Sequence, residues 1–160
     1  MQTSFRSVPK LGGESCLPLF RSAAEWYANM LMGKRLANNV FCKIEFVKGL
    51  EENNEGGNCI WEDDNYRPKE FFLEIDPGAR LRRVLESICH EMVHVKQFAK
   101  GEMRDLAGAD RVSFLGQKYD LTEDEYFERP WEIEAHGREL GLFIRWAEKN
   151  KLGHLKWTHD

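Results

Sequence analysis

No stretch of this 160-residue chain is apolar for long enough to cross a bilayer. Met1 to Ser15 also lacks the apolar core of a secretory signal, so a cytoplasmic protein without a membrane partner is expected. Positive charge is not in surplus. Lys and Arg total 23 against 27 Asp and Glu, and the net charge of −4 gives no electrostatic case for a nucleic-acid partner. Cysteine is scarce, and none of Cys16, Cys42, Cys59 and Cys89 belongs to a C-x-x-C pair. That argues against a structural zinc knuckle and leaves reduced thiols as the expectation. No repeat, low-complexity run or linker divides the chain. One domain over residues 1–160 is expected, with the polar, glycine-bearing residues 1–14 as a flexible arm. What the chain does have is ten Phe and five Trp, large pieces for a single core.

Hydrophobic spacing predicts an α+β fold. Phe20, Ala23, Ala24, Tyr27 and Leu31 keep helical spacing, giving a first helix from Pro18 to Lys34. Three short strands are expected next, at Val40–Val47, Cys59–Glu62 and Glu70–Ile75, joined as a meander. The polar run Glu51–Asn58 with Gly56-Gly57 reads as a loop or hairpin tip between the first two. Residues 101–129 are the least legible part, with an extended piece near Val112–Leu115 and two tyrosines, Tyr119 and Tyr126, in a segment that suits either a cleft border or a spacer. Pro130 opens a last helix, Trp131–Lys149. Its apolar residues cover so wide an arc (Ile133, Leu140, Ile144 on one side; Trp131, Ala135, Leu142, Trp146 on another) that both sides are expected to be buried. A frayed tail follows.

The chemistry concentrates in His90-Glu91-Met92-Val93-His94. Leu81, Leu85, Ile88, Met92 and Val95 recur at fours and threes, predicting a helix from Arg80 to Phe98 that ends at Gly101. On that helix the two histidines stand four residues apart, on one side, where they can share a metal ion. Glu91 lies one step round and can reach a water on that ion and take its proton. The histidines fall well away from the centre of the apolar stripe, so they can face a cleft while the stripe packs. Cys89 points about 100° away from His90 and reads as packing.

A catalytic zinc takes three protein ligands and keeps one position for water. The third ligand must come from elsewhere, and Glu132-Ile133-Glu134-Ala135-His136 offers three candidates. Glu132 and His136 share a face of the last helix, Glu134 projects to nearly the opposite side, and Ala135 is small enough to let two helices approach.

With these residues the chain resembles the gluzincin metallopeptidases, including the minimal ones and short predicted HExxH peptidases of bacteria and their phages. The resemblance is carried by the motif helix and the final helix; the first 70 residues match only in element order. In that family a second, glutamate-bearing helix supplies the third ligand in a Glu-x-x-x-Asp arrangement. The resemblance implies a zincin-like domain with His90, His94 and Glu132 as zinc ligands, Ala135 as the small residue, and Glu91 as general base. His136 stands where the family has its aspartate, which normally holds a motif histidine; that is a departure. The implied activity is hydrolysis of peptide bonds in a peptide or protein substrate. Tyr126, Tyr119 and His136 are candidates for a donor to the oxyanion, and the strand Glu70–Ile75 for binding an extended peptide along its edge. Three alternatives remain: a zinc-binding regulatory or interaction protein without turnover; a SprT-like DNA-associated protease, which would take a histidine such as His136 as third ligand; and a helical interaction domain without metal.

Overall fold

A computed structural model of the chain describes residues 1–50, 56–106, 110–122 and 125–159. Among the described residues the architecture is α+β, with four α-helices and small sheets. Strand β1 (Gln2–Arg6) comes first, then a short hairpin, β2 (Lys10–Leu11) and β3 (Glu14–Ser15). Helix α1 (Leu17–Met32) is followed by the single turn of α2 (Lys34–Ala37). Next are β4 (Phe41–Phe46), β5 (Gly57–Trp61) and β6 (Glu70–Ile75), then α3 (Leu81–Lys100). Strands β7 (Met103–Asp105), β8 (Arg111–Phe114) and β9 (Gln117–Asp120) form a small antiparallel sheet. A 3₁₀ turn (Tyr126–Glu128) leads into α4 (Pro130–Lys149), and a last 3₁₀ turn spans Lys156–Thr158.

The main sheet departs from the expected three-stranded meander. It has four strands in the order β1-β4-β6-β5, with β1, β4 and β6 parallel and β5 antiparallel at one edge. Burial explains the order. Cys42, Ile44 and Phe46 on β4 and Phe71, Leu73 and Ile75 on β6 are buried at every second position, so these two strands take the centre. β5 has no fully buried position and takes the edge. The fourth strand comes from the segment expected to be a flexible arm. Gln2–Arg6 pairs in parallel with β4, from Gln2 opposite Phe41 to Arg6 opposite Glu45, and Phe5 packs against the core. Polar residues on this edge strand, Gln2, Ser4 and Arg6, are what made it resemble an arm.

Three further expectations change. The middle segment is not a spacer but the β7-β8-β9 sheet, which closes with Leu115 and Gly116 both at positive φ, a tight-hairpin geometry. On α4 only one of the two apolar sides is buried. Trp131, Ala135, Leu142 and Trp146 are inside, whereas Ile133, Leu140 and Ile144 are 55%, 45% and 44% exposed. The side facing α3 carries the packing, and the arc was too wide for one neighbouring helix to cover. The tail is not frayed throughout: Thr158 is buried, and its carbonyl accepts from Arg82 Nη1. Of the expected polar loop Glu51–Asn58, residues 51–55 lie outside the described residues, and Gly57 and Asn58 belong to β5.

Helix α3 is the axis of the molecule. Every residue from Val84 to Ala99 is buried, because α1, α4, the main sheet and β7 all pack around it. Gly101, at φ 72°, ends it in the left-handed conformation that glycine adopts without strain. Among the described residues no helix is long and apolar enough to cross a membrane.

Candidate metal centre

Helices α3 and α4 pack side by side, and the motif histidines point into the seam between them. His90 Nε2 and His94 Nε2 are 3.1 Å apart. Glu132 Oε2 lies 3.3 Å from the first and 3.5 Å from the second. All three residues are buried. An ion held tetrahedrally at 2.0–2.1 Å sets its ligand atoms ~3.3 Å apart, and these three separations bracket that value.

The orientation of each ring is fixed from behind. His90 Nδ1 is 3.0 Å from Glu139 Oε2, and His94 Nδ1 is 2.9 Å from Gln97 Oε1. A carboxylate and an amide oxygen only accept, so both Nδ1 atoms carry hydrogen and donate. Both Nε2 atoms are thereby left to face the shared point. Gln97 cannot turn round, because its Nε2 donates to Trp131 O and to Glu134 Oε2. Glu134 is clamped in turn by Lys96 and Arg138. Tyr126 Oη donates to Glu132 Oε2 at 2.7 Å, which holds the carboxylate in place.

The electrostatics call for a cation at this point. Burial favours a neutral His90, but hydrogen bonds to Glu132 and Glu139 overcome it and push the imidazole up to about 9. Burial also opposes a charged Glu132, yet hydrogen bonds from His90, His94 and Tyr126 hold its carboxyl well below the usual range. A proton on His90 or a metal ion at Nε2 meets the same demand. Two imidazoles and a carboxylate, each with its geometry set by a neighbour, form a group that can hold a metal ion.

Glu91 is buried beside this group, and burial raises its carboxyl above the usual range while the two histidines draw it back. It borders two hollows, of about 460 Å³ and about 310 Å³, both of which also touch His90. Strand β5 passes directly over it. A Cβ on Gly57 would come within 2.8 Å of Glu91 Oε1 and 3.0 Å of Glu74 O, so only glycine permits this approach.

Of the residues singled out by sequence, the structure brings together His90, Glu91, His94, Glu132 and Tyr126. Glu134 does not join the ligand triangle; it acts through Gln97. His136 is also outside the triangle, with Nδ1 3.5 Å from Glu139 Oε2. Tyr119 lies away from the centre, its hydroxyl donating to Gln117 Oε1 and its ring packed edge-on against Trp131. The strand expected to dock a peptide, β6, is paired on both sides and has no edge to offer; β5 holds the edge instead. Sequence reading missed Glu139 and Gln97. Helical spacing could have found both, since Glu139 follows Glu132 by two turns on the same face and Gln97 follows His94 by three residues.

No protein-family model matches this chain, and neither a curated protein nor a solved structure matches it.

Proposed function

We infer that the chain is a metal-dependent peptidase of zincin-like architecture, with zinc held by His90, His94 and Glu132. The observation that carries this reading is the ligand triangle, with separations of 3.1, 3.3 and 3.5 Å between two oriented imidazoles and one buried carboxylate. Two histidines with a carboxylate favour zinc among the divalent ions. A zinc ion there supplies Lewis-acid polarisation of a carbonyl and a water of lowered pKa.

The chain's own groups account for the rest. Glu91, buried and raised, takes a proton from the attacking water and returns it to the departing amine nitrogen. Glu139 and Gln97 hold the rings, and Tyr126 holds Glu132. Peptide is the favoured substrate because, among the described residues, β5 (Gly57–Trp61) pairs with β6 alone, and Gly57, Asn58 and Cys59 line the same hollow as His90 and Glu91. An extended chain laid on that edge gains backbone hydrogen bonds and passes beside the metal site.

The test combines elemental analysis with hydrolysis of a peptide library. Wild type is expected to carry about one zinc per chain, Glu134→Ala to keep it, and Glu132→Ala to lose it. Glu91→Gln is expected to keep the metal and lose hydrolysis by about 10²- to 10⁴-fold. Zinc without hydrolysis in wild type would leave a metal-binding regulatory protein, and no zinc would end the enzyme reading.

A further inference from the structure

His136 and Glu139 stand three residues apart on α4, and together with His90 they make a second donor set. Glu139 Oε2 is 3.0 Å from His90 Nδ1 and 3.5 Å from His136 Nδ1. One nitrogen or oxygen from each of the three lies within 4.8 Å of the others. His90 belongs to both sets, but it turns a different ring nitrogen to each.

Two observations distinguish this set from a simple support for His90. The His136 ring is poorly satisfied as it stands: Nε2 is buried without a hydrogen-bond partner, and the Nδ1 contact is too long for a good hydrogen bond. The ring is nevertheless kept over the set, 4.5 Å from the His90 ring and 5.8 Å from that of Phe127. The set also opens onto the larger hollow, of about 460 Å³, which gives an ion a route in and room for its waters.

We propose that His136, Glu139 and His90 Nδ1 form a second binding site for a zinc-like divalent ion, weaker than the first. The donors are the His136 imidazole, the Glu139 carboxylate and His90, which would bridge the two ions as an imidazolate. It is weaker for two reasons. His90 Nδ1 must release to solvent the hydrogen it now donates to Glu139. Arg83 Nη1 holds the other Glu139 oxygen at 2.9 Å, and its positive charge opposes a neighbouring cation. On the peptidase reading, an ion here sits in the hollow beside Glu91 and takes from His90 the carboxylate that orients it. Excess metal is therefore inhibitory.

Titration of the metal-stripped full chain with Zn²⁺ against a competing chelator, followed by calorimetry, tests the site. Wild type is expected to take up two ions, the second at least about tenfold more weakly. His136→Ala is expected to keep the tight ion and lose the weak one. The retained tight ion reports that the variant is folded; if both are lost, the closer-sized His136→Gln replaces it. One ion per wild-type chain at millimolar zinc overturns the proposal. So does a second ion that persists without His136, which would place it on exposed histidines such as His154 or His159. Inhibition is read separately, as hydrolysis against added zinc. A chain that hydrolyses nothing thus refutes the peptidase reading while the stoichiometry still decides the second site.

Discussion

At the scale of single residues, the centre depends on groups that never touch the shared point. Gln97 is fully buried, and its amide spans α3 and α4 by accepting from His94 while donating to Trp131 O and Glu134. Gln97→Leu keeps the volume but leaves the buried His94 Nδ1 hydrogen without its acceptor. The expected result is a 10- to 100-fold loss of zinc affinity, measured by competition with a chromogenic chelator. Unchanged affinity would reduce Gln97 to packing. Gln97 and Glu139 have no motif of their own, and only their helical spacing from His94 and Glu132 points to them. His90, Glu91 and His94 were legible because a metal ion demands fixed types at a fixed spacing. Glu132 was legible only as one of three candidates, and its selection over Glu134 depended on which face of α4 meets α3.

At the scale of elements, helices were legible and sheet order was not. Helical periodicity is local, so α1, α3 and α4 fell close to their expected bounds, including the stop at Gly101. Strand neighbours are chosen by burial across the whole sheet, and nothing in β5 itself says that β6 will lie between it and β4. That misplacement shifted the expected peptide-docking edge from β5 to β6. The observed arrangement makes Gly57 a sensitive position. Gly57→Ala would push Glu91 or the edge strand aside without touching His90, His94 or Glu132. A displacement near 1 Å at a reacting group costs on the order of 10²-fold. Hydrolysis is expected to fall by about that factor in kcat/KM while zinc content by elemental analysis stays at the wild-type level. Joint loss of metal and activity would show instead that β5 holds the ligand cluster together.

At the scale of the whole molecule, α3 is surrounded on all sides and β1 is held on one. Among the described residues strand β1 pairs with β4 alone, and its side chains are at best half-buried. Opening it exposes little apolar surface, so its amides are expected to exchange with solvent at least about tenfold faster than those of β4 and β6. Hydrogen exchange read by mass spectrometry on peptides covering residues 2–6 and 41–46 measures this. Equal protection would mean that β1 opens only with the entire fold. The same pairing has a consequence in time. Helices α1 and α2 lie between β1 and β4 in the chain, so β1 is synthesised well before the strand it must join. Such distant pairing forms slowly. Of these three strands the one made first is thus expected to join last, in a register set by an already paired β4 and β6.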